Sequence, residues 1–308
     1  MRKGYWLTIP CLLAAAMLLL FGAAMAAAEQ SLEELIAQEE SGIELPETPE
    51  PAVSVKPSED QIPVLNNIPQ DSVLLIPETN ADVVGMYDPY DGTYLGDVIN
   101  GSGILTFPIN AIQGPDDNIY VSDQTADGVF VFDTSGTYLY TYCDGTDGLD
   151  NVRGIDFRND TLFVTSGDDY VAMFHGAHNR LADFINGGMD PFDIYFLDDG
   201  RALVADITGD AIRLYDADGT FISSIVSSLD FPEQVIYDDL APGDFLNATF
   251  VTGNQITDFD IDGTIQQTTV WEYGRGVHRL GNGNLLATSS HNCLITVHSF
   301  QLTLDEGN

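Results

Sequence analysis

A chain of 308 residues has room for one large all-β domain or two smaller domains, and 48 acidic against 10 basic side chains set its net charge at −38. From Asp71 onward there are 34 aspartates, 4 glutamates, 7 arginines and no lysine, a field that repels phosphate backbones and anionic bilayers and so excludes nucleic acid as a partner. Cations, neutral small molecules and basic proteins remain, and a carboxylate-rich surface also keeps a protein soluble in salt.

Arg2 and Lys3 precede an apolar run from Tyr5 to Ala28 that ends in small residues around Ala24-Met25-Ala26. A basic start, an apolar middle and a small-residue end predict a secretory signal over residues 1–28. Left uncut, the same run is long enough to anchor the chain in a bilayer. Once it is cleaved no span remains, and the expected location is secreted, periplasmic or extracellular. Residues 29–69 change to Glu and Pro. Ser31 and Glu34 have capping-box spacing for a short helix from Ser31 to Glu40. The six prolines from Pro46 to Pro69 sit in a stretch with too little apolar content to offset the entropy of ordering, so most of this linker is expected to be a disordered acidic tether.

From residue 70 to 308 the chain repeats. Its cleanest unit, PFDIYFLDDGRALVADITGDAIRLYDADGTFISSIV from Pro191 to Val226, alternates four β-favouring runs with Asp/Gly turns, the pattern of a four-stranded antiparallel meander. An aromatic-Asp pair followed by Gly-Thr recurs at Asp88, Asp133, Asp216 and Asp260, with a degenerate copy at His175, in steps of 45, 42, 41 and 44 residues. Such a period marks a propeller or solenoid. A sixth unit runs from Gly276 to about Leu304. The first unit lacks a clear opening strand and the last a clear closing one, as expected where both chain ends close a ring. The candidate closing strand lies between Val53 and Leu65. The expected fold is a six-bladed all-β propeller of four-stranded antiparallel blades, monomeric, behind the signal and the linker.

The unit from Pro191 to Val226 and its counterpart PINAIQGPDDNIYVSDQTADGVFVFDTSGTYLYTY, from Pro108 to Tyr142, resemble the NHL-type repeats of six-bladed propellers in the TolB-like superfamily. The resemblance implies the fold. Proteins of that architecture include lyases, lactonase-like hydrolases and binding domains, so it leaves the activity open.

Candidate functional residues follow from the geometry of such a ring. Counted from the residue that opens each unit, the innermost strands present Asn110, Arg153, Asp193, Gln234 and His278. His278 would serve as base or metal ligand, Arg153 as partner of an oxyanion, and Asp193 as a third catalytic group. Asn110 and Gln234 would orient a ligand. Asp123 and Asp206, at the ends of second strands, are candidate oxygen ligands for Ca²⁺ or another divalent cation. The Asp-x-Asp-Gly turns at Asp216 and Asp260 lack the distal Glu of a helix-loop-helix calcium site and read as hairpin turns. His175 and His178 read as a solvated turn, and Cys143 and Cys293 fall on units that are not neighbours, which argues against a disulfide. No GxSxG or HExxH constellation occurs. The expected function is an exported binding or scaffolding module for a protein or small molecule, and the alternative is a metal-assisted lyase or hydrolase acting in the central funnel.

Overall fold

A computed structural model describes residues 72–298 apart from 102, 168, 251–254, 272 and 290–293. The chain divides into two units, Met1–Glu59 and Asp60–Asn308, and every described residue belongs to the second. The signal 1–28, the linker 29–69, the candidate closing strand, His291 and Cys293 lie outside the described residues.

Among the described residues the strands form six antiparallel sheets. The first holds β1 (Leu74–Glu78), β2 (Val83–Tyr87) and β3 (Tyr94–Asn100). The second holds β4 (Pro108–Gln113), β5 (Ile119–Asp123), β6 (Gly128–Phe132) and β7 (Tyr138–Cys143). The third holds β8 (Val152–Arg158), β9 (Thr161–Ser166), β10 (Tyr170–Phe174) and β11 (Ile185–Asn186). The fourth holds β12 (Pro191–Phe196), β13 (Ala202–Asp206), β14 (Ala211–Tyr215) and β15 (Phe221–Ser227). The fifth holds β16 (Pro232–Tyr237), β17 (Asp244–Thr249), β18 (Gln255–Asp260) and β19 (Ile265–Val270). The sixth holds β20 (Gly274–Arg279), β21 (Leu285–Ser289) and β22 (Leu294–His298). Each strand pairs with its neighbours in sequence, so every sheet is a meander, and the fold is an all-β propeller. Four sheets have four strands and the first and last have three. No helix among the described residues is long and apolar enough to cross a membrane.

The middle strands of the sheets are apolar on both faces: β5 and β13 are buried along their whole length. A single sheet cannot cover two such faces, so the sheets pack on each other. Buried clusters accordingly sit at the junctions. Val84, Ile99 and Val121 join the first sheet to the second, Val129, Tyr142 and Phe174 the second to the third, and Phe163, Ile194 and Tyr215 the third to the fourth. Leu203, Ile212, Phe245 and Phe259 join the fourth to the fifth, and Leu246, Ile256 and Leu285 the fifth to the sixth. A smaller cluster of Tyr87, Leu280 and Leu286 brings the last sheet against the first. There the N–H groups of Gly281 and Asn282 also donate to the carbonyls of Pro89 and Tyr90.

The recurring Asp/Gly turn is a latch between sheets. Gly136, Gly219 and Gly263 hold φ near +80°, and a Cβ at any of them would run into the carbonyl of Val98, Phe184 or Ile225 at the outer edge of the preceding sheet. Each latch therefore needs glycine twice over, for its backbone and for the close approach. Asp216 and Asp260 accept N–H bonds from Thr220 and Thr264 across the same turns, at 3.1 and 2.9 Å.

The degenerate third turn latches by other means. His178 N–H donates to the Tyr142 carbonyl at 2.7 Å and Gly176 N–H to Tyr142 Oη at 2.9 Å. The His178 ring lies 2.7 Å from Asp147. His178 is exposed in its turn, as expected of it, and its backbone and ring also supply contacts that the lost Asp/Gly turn would have made. Cys143 is buried and free.

Gly219→Ala is expected to lower stability by about 1–3 kcal/mol through strain at positive φ and the clash with Phe184. A denaturant titration beside Gly243→Ala, whose surroundings are open, separates the strain, common to both, from the clash.

Candidate functional site

Five opening strands, β4, β8, β12, β16 and β20, stand side by side and with β1 line a central channel with a volume of about 1040 Å³. Each of the five begins with a register shift against its partner: Pro108/Asn110, Val152/Ile155, Pro191/Asp193, Pro232/Gln234 and Gly274/Gly276. A bulge takes up an extra residue, and one residue of slip moves every later side chain to the opposite face.

Counting from the bulges gives two tiers on the channel wall. Asn110, Gly154, Asp193, Gln234 and Gly276 form the upper one, and Ile112, Asp156, Tyr195, Ile236 and His278 the lower one. Asn110, Asp193 and Gln234 share a tier. Arg153 and His278 do not join them. The third sheet carries Arg153 and Gly154 together in its bulge, so Gly154 takes the wall position, and the sixth sheet opens at Gly274, which drops His278 one tier.

Arg153 points into the joint between two sheets. Its guanidinium donates to Asp190 at 2.6 Å and to the Pro191 carbonyl at 3.1 Å, and it lies 5.2 Å from the centroid of the Phe192 ring. Asp123 and Asp206 also lie away from the channel lining, fully buried. Asp123 accepts from the N–H groups of Thr106, Phe107, Thr125 and Ala126 and from the Thr106 hydroxyl. Asp206 accepts from Asp190 N–H at 2.9 Å and pairs with Arg213 at 2.5 Å. Both carboxylates are thus held by protein donors, and they sit two sheets apart.

The wall residues cross from strand to strand. Neighbouring opening strands share no ladder, so N–H groups facing the next sheet need side-chain acceptors. Asp193 Oδ2 accepts from Val235 N–H at 3.1 Å, Gln234 Oε1 from Val277 N–H at 2.6 Å, and Asp156 Oδ2 from Phe196 N–H at 3.1 Å. Asp193 lies directly over Gly154, where a Cβ would collide with it. The glycine is the space that the carboxyl occupies.

Burial then sets the proton affinities. Desolvation raises Asp193 to about 7, opposed by its bond from Val235 and assisted by the nearby Asp156. Desolvation likewise raises Asp156 to about 6 and Glu233 to about 7, the latter despite Arg275 at 2.5 Å. His278 is shifted down by burial, so it stays neutral at physiological pH. The channel therefore holds carboxyls that exchange protons near neutrality and a neutral imidazole. Such groups both donate and accept hydrogen bonds. Asp156, Tyr195 and Glu233 were missed in the sequence; stepping two residues on from each bulge would have found the first two, while nothing in the sequence marked Glu233 as buried.

No protein-family model matches the chain, and no curated protein matches it. Solved structures do. A chain of a nidogen/laminin complex is similar over 66% of this chain and 77% of its own length, with 17% identity and a TM-score of 0.56. A protein of unknown function from Bacteroides caccae covers 71% of this chain and 84% of itself at 14% identity and a TM-score of 0.54. Virginiamycin B lyase from Staphylococcus aureus covers 76% and 83% at 13% identity and a TM-score of 0.51. At these identities the likeness is one of fold.

Because Asp193 has a higher pKa folded than unfolded, its contribution to stability is full below about pH 4 and is lost as the pH rises to about 7. Asp193→Asn keeps an acceptor for Val235 and removes that loss. The variant is expected to gain on the order of 2–4 kcal/mol over the parent between pH 4 and pH 8, measured by denaturant titration at both pH values. Equal differences at the two would show that Asp193 does not titrate in this window.

Proposed function

We propose that the chain is an exported binding module whose central channel takes a small polar molecule. The observation that carries this is the channel itself: about 1040 Å³, walled by apolar strand residues with Asn110, Tyr195 and His278 among them. A concave apolar site with a few polar groups is the usual form of a small-molecule site. In this reading the six sheets are six blades of one ring of the NHL-repeat kind, acting as a monomer. The basic and apolar leader supports export, with the acidic linker as a tether.

A second reading is favoured by one feature of the same wall. Asp156 and Asp193 lie on neighbouring strands with pKa values displaced toward neutrality, where a general acid or base works best. In that reading the channel hosts a metal-assisted lyase or hydrolase, with Asp193 and His278 moving protons and Arg153 acting through the joint between sheets, where it holds Asp190.

Thermal-shift screening of the mature chain against neutral and cationic small molecules tests the binding module. A ligand at a hundred times its Kd adds about 2.7 kcal/mol of stability, several degrees in Tm. Asn110→Leu with His278→Leu is expected to abolish the shift while the Tm without ligand changes little. The same shift in the double variant would place the ligand elsewhere. Turnover of a bound compound that disappears in Asp193→Asn would decide for the enzyme.

A further inference from the structure

Two arginines hold the same place in their sheets and are used differently. Arg153 and Arg275 each follow the residue that opens the sheet, Val152 and Gly274. The Arg153 side chain is 7% exposed, gives its donors to Asp190 and the Pro191 carbonyl, and stays off the channel lining. The Arg275 side chain is 30% exposed and lines the channel. Among the described residues its guanidinium donates to one partner, Glu233 Oε1, at 2.5 Å, which leaves most of its N–H donors over. One of its faces is covered: the guanidinium carbon lies 4.0 Å from the centroid of the Phe250 ring, the separation of two stacked planes. Phe250 is not part of the channel lining, so the second face and the free edge of the guanidinium are turned to the channel.

The support behind this arginine is rigid. Phe250 is flanked by Phe231 at 5.7 Å and Tyr273 at 5.9 Å. Both flanking residues take left-handed backbone, with φ of 61° and 55°, a conformation that bulky side chains seldom adopt and that gathers where function needs it. Glu233 is fully buried, and its second oxygen, Oε2, has no hydrogen-bond partner. The arginine alone holds that carboxyl, and the carboxyl in turn fixes the guanidinium by its edge. We infer that the channel ligand carries a flat conjugated group with a carbonyl on its edge, which stacks on the open face of Arg275 and accepts from its unused N–H groups. A guanidinium is planar and delocalised, so its second face takes a flat π-system as its first takes Phe250, and a puckered ring fits it poorly. Charge favours a neutral group: Glu233 already offsets the guanidinium, so a ligand carboxylate gains little there, while an amide carbonyl meets donors that are unused. The inference rests on the binding reading of the channel and adds to it the kind of molecule bound.

NMR titration of the mature chain with two probes decides it: benzamide, and cyclohexanecarboxamide, which carries the same amide on a ring that is not flat. Benzamide is expected to bind with a Kd on the order of 1 mM, about tenfold tighter than cyclohexanecarboxamide. Arg275→Lys keeps the charge and the pairing with Glu233 but has no flat face. This variant is expected to lose the preference for benzamide while its Tm without ligand stays near the parent's. Equal affinity for the two probes, or a preference that survives Arg275→Lys, would overturn the stacking platform. Tighter binding of benzoate than of benzamide would overturn the neutral class. Failure of benzamide to bind a chain that still shows a thermal shift with a screened compound would also overturn the inference, and the channel would remain a binding site. If neither the probes nor any screened compound binds, the channel reading falls and this inference with it.

Discussion

The structure depends on a mismatch: each sheet is apolar on two faces and can cover neither by itself. Val121, Val204 and Leu246, all on second strands, are completely buried although each sheet is only one layer thick. Packing sheet on sheet resolves this at every junction and forces the opening strands to meet around one axis. That arrangement then creates a second problem, because strands that converge on an axis do not pair with each other. Their backbone donors are met by Asp156, Asp193 and Gln234 reaching across from the next strand. The polar wall of the channel is in this sense a product of how the sheets are packed.

The large acidic surplus divides along the same line. Aspartates in exposed turns accept N–H bonds from their own loops, and Asp133 is held below the usual carboxylate range by Ser135 and Thr137. Asp156 and Asp193 behave in the opposite way, since the cost of removing charge from water outweighs one or two bonds to the carboxylate. An arginine within reach offsets that cost only in part: Asp258 is still raised to about 6 by burial beside Arg279, and Glu233 to about 7 beside Arg275. The turn composition that looks like a field of cation ligands is thus mostly backbone satisfaction.

The repeat was legible in the sequence because its signal is chemical and local. An Asp that accepts from its own turn and a Gly that must pass under a neighbouring carbonyl leave the same letters in several units. The channel tiers were less legible because they depend on where a bulge falls, and a bulge leaves no letter. In the third sheet the opening residue is Val152 with no proline, and the count along the sequence lands on Arg153 where the register puts Gly154 on the wall. The sixth sheet opens on Gly274, which resembles none of the other opening residues. The His178 latch was hidden for a different reason: its partners, Tyr142 and Asp147, lie on the preceding unit.

Neutralisation inside the ring changes what the charge count implies about a ligand. The outer surface is strongly negative, and on composition alone the natural ligand would be a cation. Of the three channel acids most removed from water, Asp193 and Glu233 are raised to about 7 and carry only a part of their charge at neutral pH, while Asp156, raised to about 6, keeps most of its own. Glu233 is in addition offset by Arg275, itself stacked 4.0 Å over the Phe250 ring. Most of the crossing acceptors are already committed to backbone donors, and any ligand that competed for them would loosen the joints between strands. What the wall offers without that cost is apolar surface, Asn110, the Tyr195 phenol and a neutral His278. Such a wall suits an uncharged molecule with both donors and acceptors better than it suits an ion, and the acidic exterior then serves solubility rather than recognition.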